Sequence, residues 1–529
     1  MSVSLTNCSH KAPATVLEPS LQRIIFRVLF YGTTLYASVL FWIAPRLPMA
    51  DLAQHAAQVT LLRDLLAHTS PWADIVRINF FTPYLTGYGL ALLLSYLMPV
   101  AVAMKVVMNA AYLGFVIGCV SLRKRFGGDE RLDWLFIPGF FGFPFGWGFY
   151  TFLVAAPIGL AVILVAHTYA ARPNIRSAIA LLVAGIVLFF SHGLVFFFAC
   201  AIGVSFLLVK RKSLFELLVA LLPYYVFSLL CILFALFARE TDPLIALQSY
   251  LPHPSWTQYD HRLAFPLLVW GTYRSGSIFV VPALFMLAAP FLLRLGINRS
   301  NRTALLPLLA VVAIWILVPT SAMKTEYLYE RFAVFLMPTY AFAFSRQDPT
   351  NASERQRSLR FRPVMRESAV LLLMVIGCWS FLGVQTIRMH RFVAESASFE
   401  TILERMEPGQ RALSLIFDRG SDAYTTRMAY LQYGAWYQAE RHGFVDYNFA
   451  WFLPQPVRFR SDHLPAMRPG FEWTPSAFDW KSGDGKLYRY FIVRDKSGEA
   501  SKVLANAECE IRLVQRAAEW SLYERGTCR

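Results

Sequence analysis

Apolar stretches long enough to cross a bilayer recur from residue 24 to residue 387 and then cease. A spanning helix needs about 20 such residues. The pattern predicts spans over 24–45, 84–121, 134–150, 152–170, 177–191, 193–209, 214–238, 278–293, 304–321, 332–345 and 368–387, eleven in all. The block 84–121 is unusual: as one helix it would run about 57 Å, nearly twice the hydrocarbon core. Pro99 and Lys105 interrupt it. An interfacial segment followed by one crossing keeps the total at eleven, whereas two crossings there lead to as many as thirteen. Beyond residue 390 the periods shorten. Ala412–Phe417 and Tyr488–Arg494 read as buried strands, Ser421–Arg441 as a helix, and Ile511–Gln515 with Trp520–Glu524 as a closing hairpin. The expected fold class is a multi-pass α-helical membrane protein with a C-terminal exterior α/β domain. Its parts are a tail (1–23), a polytopic domain (24–390) with a first outer loop (46–83), and a soluble domain (391–529).

Composition supports this division. Of 529 residues, 56% are hydrophobic and 16% charged, with a mean hydropathy of +0.44. Soluble domains carry about 25% charged residues, so three soluble domains are excluded. The net charge of +16 would suit a nucleic-acid binder, but its placement does not. From Arg391 onward 19 Lys and Arg meet 18 Asp and Glu, so +15 belongs to the membrane part. There the basic residues cluster between apolar runs, at Arg123–Arg125, Arg172–Arg176, Lys210–Lys212, Arg294–Arg302 and Arg346–Arg366. Clusters of this kind stay on the cytoplasmic side. With the N-terminus inside and 84–121 crossing once, every cluster falls inside, and 46–83, 239–277, 322–331 and 388–529 fall outside. The expected location is a bacterial-type inner membrane, with no nucleic-acid partner. The polar first 20 residues precede no cleavage-site pattern, so no cleavable signal peptide is expected. None of the seven cysteines forms a C-x-x-C pair, which leaves zinc and dithiol redox chemistry without support. Cys119, Cys200, Cys231 and Cys378 sit in apolar runs, while Cys509 and Cys528 share the exterior domain, where a disulfide can form.

Chemistry must then be sought in the outer segments. In 46–83, Asp51 opens a helical run and shares one side of its first two turns with Gln54, His55 and Gln58. Asp51 can be an N-cap, with Gln54 at the reciprocal capping-box position and His55 a polar residue of an interfacial helix. It can equally be a carboxylate that takes a proton from a substrate hydroxyl. The aromatic run Trp134–Phe152 suits an interfacial belt with packing glycines, or a lipid or sugar groove. His192, in the Ser191-His192-Gly193 turn, is a ligand-binding candidate or a solvated turn residue. Lys324, Glu326, Tyr327, Tyr329, Glu330 and Arg331 crowd one short outer loop. They can grip a lipid-carrier phosphate, or pair with one another and anchor the interface. In 239–277, Asp260-His261 lacks further spaced ligands, so a lid loop is expected rather than a metal site. The Pro-, Trp- and Phe-rich stretch 452–480 reads as an irregular lid.

The whole resembles the GT-C-type integral membrane glycosyltransferases, the superfamily of oligosaccharyltransferases, protein mannosyltransferases and aminoarabinose transferases. The resemblance rests on Pro48-Met49-Ala50-Asp51 with His55 just after the first span, on the train of spans ending in the Tyr327–Arg331 loop, and on the terminal exterior domain. It implies a polyprenyl-phosphate-linked sugar donor, an inverting displacement, and the first-loop Asp as a base or metal-associated acid. On this reading Asp51 and His55 are catalytic, and His192, Lys324, Tyr327, Glu330 and Arg331 hold substrate or lipid phosphate. The acceptor is an envelope glycan, lipid or protein. Many members place further acids in a second outer loop. The nearest match, Asp129-Glu130, falls inside on this topology, which leaves no metal ligand assigned and divalent-metal dependence open. A transporter or flippase, or a lipid-linked-glycan polymerase or ligase, is the alternative. A transporter would carry charges within its spans, and Arg27 and Lys105 are the few seen.

Overall fold

The computed structural model describes residues 19–211, 213–241, 254–271, 277–322, 325–346, 361–424, 428–505 and 507–528. Five helices in it are long and apolar enough to cross a membrane: Arg23–Ile43, Val100–Phe126, Tyr150–Ala171, Gly193–Lys210 and Arg366–Glu404. A sixth crossing forms if Leu214–Ala220 and Leu222–Ala238, bent by 52°, make one span. Shorter apolar helices cover Leu85–Ser95, Ile175–Phe189, Val280–Leu292 and Arg302–Leu317. The chain is an integral membrane protein, and among the described residues the expected count of eleven spans is not confirmed.

The long block divides at Pro99, whose ring cannot supply the N–H that a continuous helix needs. Leu85–Ser95 is tied at one end to helix Ile175–Phe189, Thr86 N donating to Phe190 O at 2.9 Å, and at the other to helix Leu52–Leu66, Arg63 Nη1 donating to Ser95 O at 2.9 Å. One crossing, Val100–Phe126, follows. The expected span 134–150 is instead a chain of 3₁₀ turns, Glu130–Phe136 and Pro138–Phe141, leading to the one-turn helix Phe143–Trp147. Its glycines allow backbone to meet backbone: a Cβ on Gly142 would lie 2.4 Å from Leu268 O. Irregular backbone at membrane depth is tolerated where protein buries it, and Phe136, Phe140, Phe141, Phe143 and Phe145 are all core residues. Apart from the half-buried Trp147, the aromatic run is packed inside the protein and forms neither an interfacial belt nor an open groove.

The basic clusters gather at one end of the helices. Arg23 and Arg27 pair with Glu130, Arg123 with Asp133, and both Arg131 and Arg346 with Asp129. Asp129 and Glu130 therefore lie at the end opposite Asp51. Lys105 donates to Ala44 O at 3.1 Å, beside the ring of Trp42.

Helix Phe361–Glu404, 44 residues long, runs without a break through 390/391 and carries the C-terminal domain. That domain holds a five-stranded sheet. Arg411–Ile416 lies between Phe444–Asp446 and Tyr490–Arg494, all parallel, followed by the antiparallel hairpin Trp520–Cys528 and Cys509–Ala517. Cys509 and Cys528 face each other across the hairpin and form a disulfide. Within the described part of 421–441 only Trp436–Arg441 is α-helical, preceded by a 3₁₀ turn at Tyr433–Ala435. The first outer loop belongs to this domain. Val76–Ile78 pairs with Val457–Phe459, and Leu61, Leu62 and Val76 enter its core.

Candidate functional site

Helix Leu52–Leu66 is the element on which the site is built. Its polar side is spent on docking. Gln54 Nε2 donates to Tyr447 O at 2.8 Å, and its Oε1 accepts from Phe449 N at 3.1 Å. Gln58 Oε1 accepts from Val457 N at 3.1 Å, and Thr60 Oγ1 donates to Ala439 O at 2.7 Å. Gln54 thus does not complete a capping box. Asp51 stands at the N-cap position, yet its side chain makes no capping bond. Its backbone N donates to Trp147 O at 3.1 Å, which ties it to the broken segment. Gly148 (φ +92°) packs directly on this backbone, where a Cβ would come within 2.7 Å of Asp51 N.

The half-buried Asp51 carboxyl is therefore free for other work. Burial raises it to about 8; the Arg331 guanidinium pulls it down and the Glu472 carboxylate pushes it up. Arg331 is 8% exposed. Its Nη2 donates to Glu326 O at 2.8 Å and its Nε to Tyr327 O at 3.2 Å, while its plane lies 3.8 Å from the Phe149 ring centroid. Among the described residues no carboxylate forms an ion pair with it. His192 is 2% exposed and caps helix Gly193–Lys210, its Nδ1 accepting from Leu194 N at 3.2 Å. That bond leaves the proton on Nε2, and Nε2 has no partner. The ring stacks on Tyr84 at 5.0 Å and meets Phe152 edge to face. Burial, then Arg331, holds it well below the usual histidine range, so it is neutral. Tyr84 bonds Arg331 through its hydroxyl, which places His192 and Arg331 in one cluster.

Three of the other expected residues, His55, Tyr327 and Glu330, are described. His55 is buried, with Nδ1 2.5 Å from Tyr88 Oη, whose hydroxyl also reaches Gln455 Oε1 at 2.5 Å. Burial pushes it down to about 3, so it stays neutral on the helix that follows Asp51. Tyr327, at φ +56°, sets its ring 4.4 Å from Trp147. Glu330 is fully buried; Thr320 Oγ1 donates to its Oε1 at 2.5 Å, the Tyr329 hydroxyl also bonds its carboxylate, and burial raises it to about 7. Lys324 lies outside the described residues. So do His253 and the side chain of Asp260. The rest of that lid is fastened to the Arg331 loop by Thr257 Oγ1 and Tyr329 Oη at 2.9 Å. Among the described residues no three His, Cys, Asp or Glu side chains converge as metal ligands.

One acid was not anticipated. Glu472, in the Pro- and Trp-rich lid, accepts from Gly470 N at 2.8 Å and is raised to about 7 by burial. Its neighbour Trp473 stacks on Trp147 at 6.4 Å. A narrow cavity between Gln54, Ser414, Gln432, Tyr447 and Glu472 runs beneath this segment. The sequence offered one signal, an acid set among aromatic residues.

The arrangement is a carboxyl able to change protonation near neutral pH in the field of a guanidinium, which shares Tyr84 with an imidazole whose Nε2 has no partner among the described residues. It can hold an oxyanion and accept a proton beside it.

No protein-family model matches the chain, and no curated protein matches it. Among solved structures it is similar to ArnT from Cupriavidus metallidurans bound to undecaprenyl phosphate, at 12% identity and a TM-score of 0.53, with 96% of this chain and 98% of that one covered. It also matches the arabinofuranosyltransferase AftD from Mycobacteria, at 14% identity and a TM-score of 0.45, covering 96% of this chain and 40% of the other. At such identities the likeness to ArnT is one of fold.

Proposed function

The chain has the GT-C-type membrane fold, and from that premise we propose that it transfers a sugar from a polyprenyl-phosphate-linked donor to a hydroxyl of an envelope glycan, lipid or protein. The observation that carries this reading is Asp51, a carboxyl at a cap position that caps nothing and sits in the field of Arg331. The undecaprenyl phosphate bound by ArnT is a lipid of the class that Arg331 and His192 would take. The acceptor oxygen attacks the anomeric carbon as the bond from that carbon to the phosphate oxygen breaks. Polyprenyl phosphate leaves with the electron pair, and Asp51 takes the acceptor's proton. Arg331 and His192 Nε2 would meet the charge growing on the leaving phosphate, the kind of stabilisation that strengthens in the transition state. Trp147 and Tyr327 would wall the sugar, and Glu330 would hold the Arg331 loop through Thr320. Catalysis is expected on the membrane face that carries the C-terminal domain.

The test is Asp51→Asn, with sugar transfer from a radiolabelled lipid carrier measured in membranes. A general base contributes about 10²–10⁴-fold, so transfer should fall by at least about 10²-fold. Because the carboxylate makes no cap bond, thermal stability should not change. Transfer near the wild-type rate would remove Asp51 from the mechanism.

A further inference from the structure

Away from Asp51, one side of helix Phe361–Glu404 carries hydrogen-bond donors that have no partner among the described residues. Gln385 is 2% exposed and its Nε2 has no partner. Arg388, three residues on and therefore on the same side, buries an Nη1 that is also unpartnered. One turn before Gln385, Phe381 packs edge to face on Trp270, whose buried Nε1 is a third unused donor. At the other end, the Arg388 guanidinium lies 5.9 Å from the ring of Tyr424.

The contrast with neighbouring arginines is informative. Arg46 pairs with Glu400 and Glu440, and Arg494 with Glu395 and Glu519. The fold thus gives two buried arginines two carboxylates each, while Arg388 is half-buried. Among the described residues Arg388 has none. A desolvated cation beside an unpaired amide N–H calls for an anion from outside the chain.

Depth along the helix says which anion. Leu372, Leu373, Ile376, Trp379 and Ile387 are exposed large apolar residues, as a lipid-facing surface requires. His390 and Arg391 are the next exposed residues. Arg388 sits at that change, where lipid headgroups lie. Arginine matches phosphate through its planar fork of donors.

We propose that Gln385 and Arg388 form a binding site for the phosphate of an anionic membrane lipid, separate from the Arg331 recess. Arg388 supplies the charge and Gln385 Nε2 a directed hydrogen bond.

The full-length protein, purified in detergent, is titrated with phosphatidylglycerol, with phosphatidylcholine and with inorganic phosphate, and bound lipid is counted by native mass spectrometry. Phosphatidylglycerol should bind saturably and more tightly than phosphatidylcholine. Arg388→Gln should weaken it about tenfold or more, the effect of losing a charged hydrogen bond. Gln385→Ala should weaken it less, and Arg331→Gln should leave this binding in place. Displacement by millimolar inorganic phosphate would show that the phosphate group suffices. Its failure to displace would assign the site to a lipid headgroup. Should Arg388→Gln not elute as a monodisperse species, Gln385→Ala and Arg388→Lys carry the comparison. Equal phosphatidylglycerol affinity in wild type, Arg388→Gln and Gln385→Ala would overturn the proposal. So would equal retention of phosphatidylcholine, or a loss confined to Arg331→Gln.

Discussion

A group that is to take a proton must be ionised part of the time, and the surroundings of Asp51 set how often. Burial holds its carboxyl at about 8, so near pH 7 the proton is mostly on, and the basic form grows as pH rises through that value. Transfer efficiency, kcat/KM, should therefore climb with pH and level off above about 8. Two neighbours move this limb in opposite directions. Arg331→Gln removes the cation that favours the carboxylate, so the limb should shift to higher pH. Glu472→Gln removes a negative charge that disfavours it, so the limb should shift to lower pH. pH profiles of the three proteins check both signs, and a common direction would dismiss Asp51 as the titrating base. His192→Phe keeps the ring contacts with Tyr84 and Phe152 but deletes both nitrogens. Losing the cap to Leu194 N should cost about 1 kcal/mol of stability. Losing Nε2–H should raise KM for the lipid donor about tenfold, as for a hydrogen bond to a charged group. Asp51, His192 and Arg331 were legible in the sequence because a polar residue beside an apolar run is rare and stands out. Glu472 was not, because only the folded lid brings residue 472 near residue 51.

At the scale of elements, the segment from Glu130 to Trp147 decides where Asp51 stands. Hydropathy predicted a helix there, since it reports burial and says nothing of backbone form. The spacing of Gly139, Gly142, Pro144, Gly146 and Gly148 held the contrary information. Glycine permits close backbone approach and positive φ, and proline withholds a helical donor. The reading of Ser421–Arg441 as one helix failed for a related reason: its apolar residues face the long helix and the sheet from irregular turns, as Tyr424, Tyr430 and Tyr433 do around Phe392. The contact at Gly148 supplies a sharp test. A methyl group there would meet Asp51 N at 2.7 Å, on a backbone already at φ +92°. Gly148→Ala should lower stability by about 1–3 kcal/mol. It should also reduce transfer by at least about tenfold, because small misplacement of a reacting group is expensive. Gly127→Ala is the control. Gly127 also has positive φ, but its Cβ would point into open space at the basic end of the helices. It should strain the backbone without touching transfer.

Over the whole molecule, the alternation of basic clusters with apolar runs was the most legible property. Among the described residues Arg123 and Arg346 of those clusters meet at one end of the helices, even though several expected spans are short, bent or broken. The reason is that sidedness depends on which end each connection occupies, and a broken segment still travels from one end to the other. Glu130–Trp147 does so, starting beside Arg27 and finishing against Asp51. The ion pairs of Asp129, Glu130 and Asp133 with arginines from four separate parts of the chain mark one end as a single charged layer. Cytoplasmic retention of such a layer predicts that the Asp51 recess and the C-terminal domain lie on the exported side. Alkaline phosphatase, active only when exported, distinguishes the ends. Fused after Cys528 it should be active, and fused after Lys210, at the end of helix Gly193–Lys210, it should be silent. The disulfide supplies an independent readout, since Cys509 and Cys528 pair in an oxidising compartment. Mass spectrometry of non-reduced peptides should recover the linked pair. An active fusion at Lys210 together with free thiols at Cys509 and Cys528 would reverse the protein in the membrane. It would also move the proposed transfer to the cytoplasmic face.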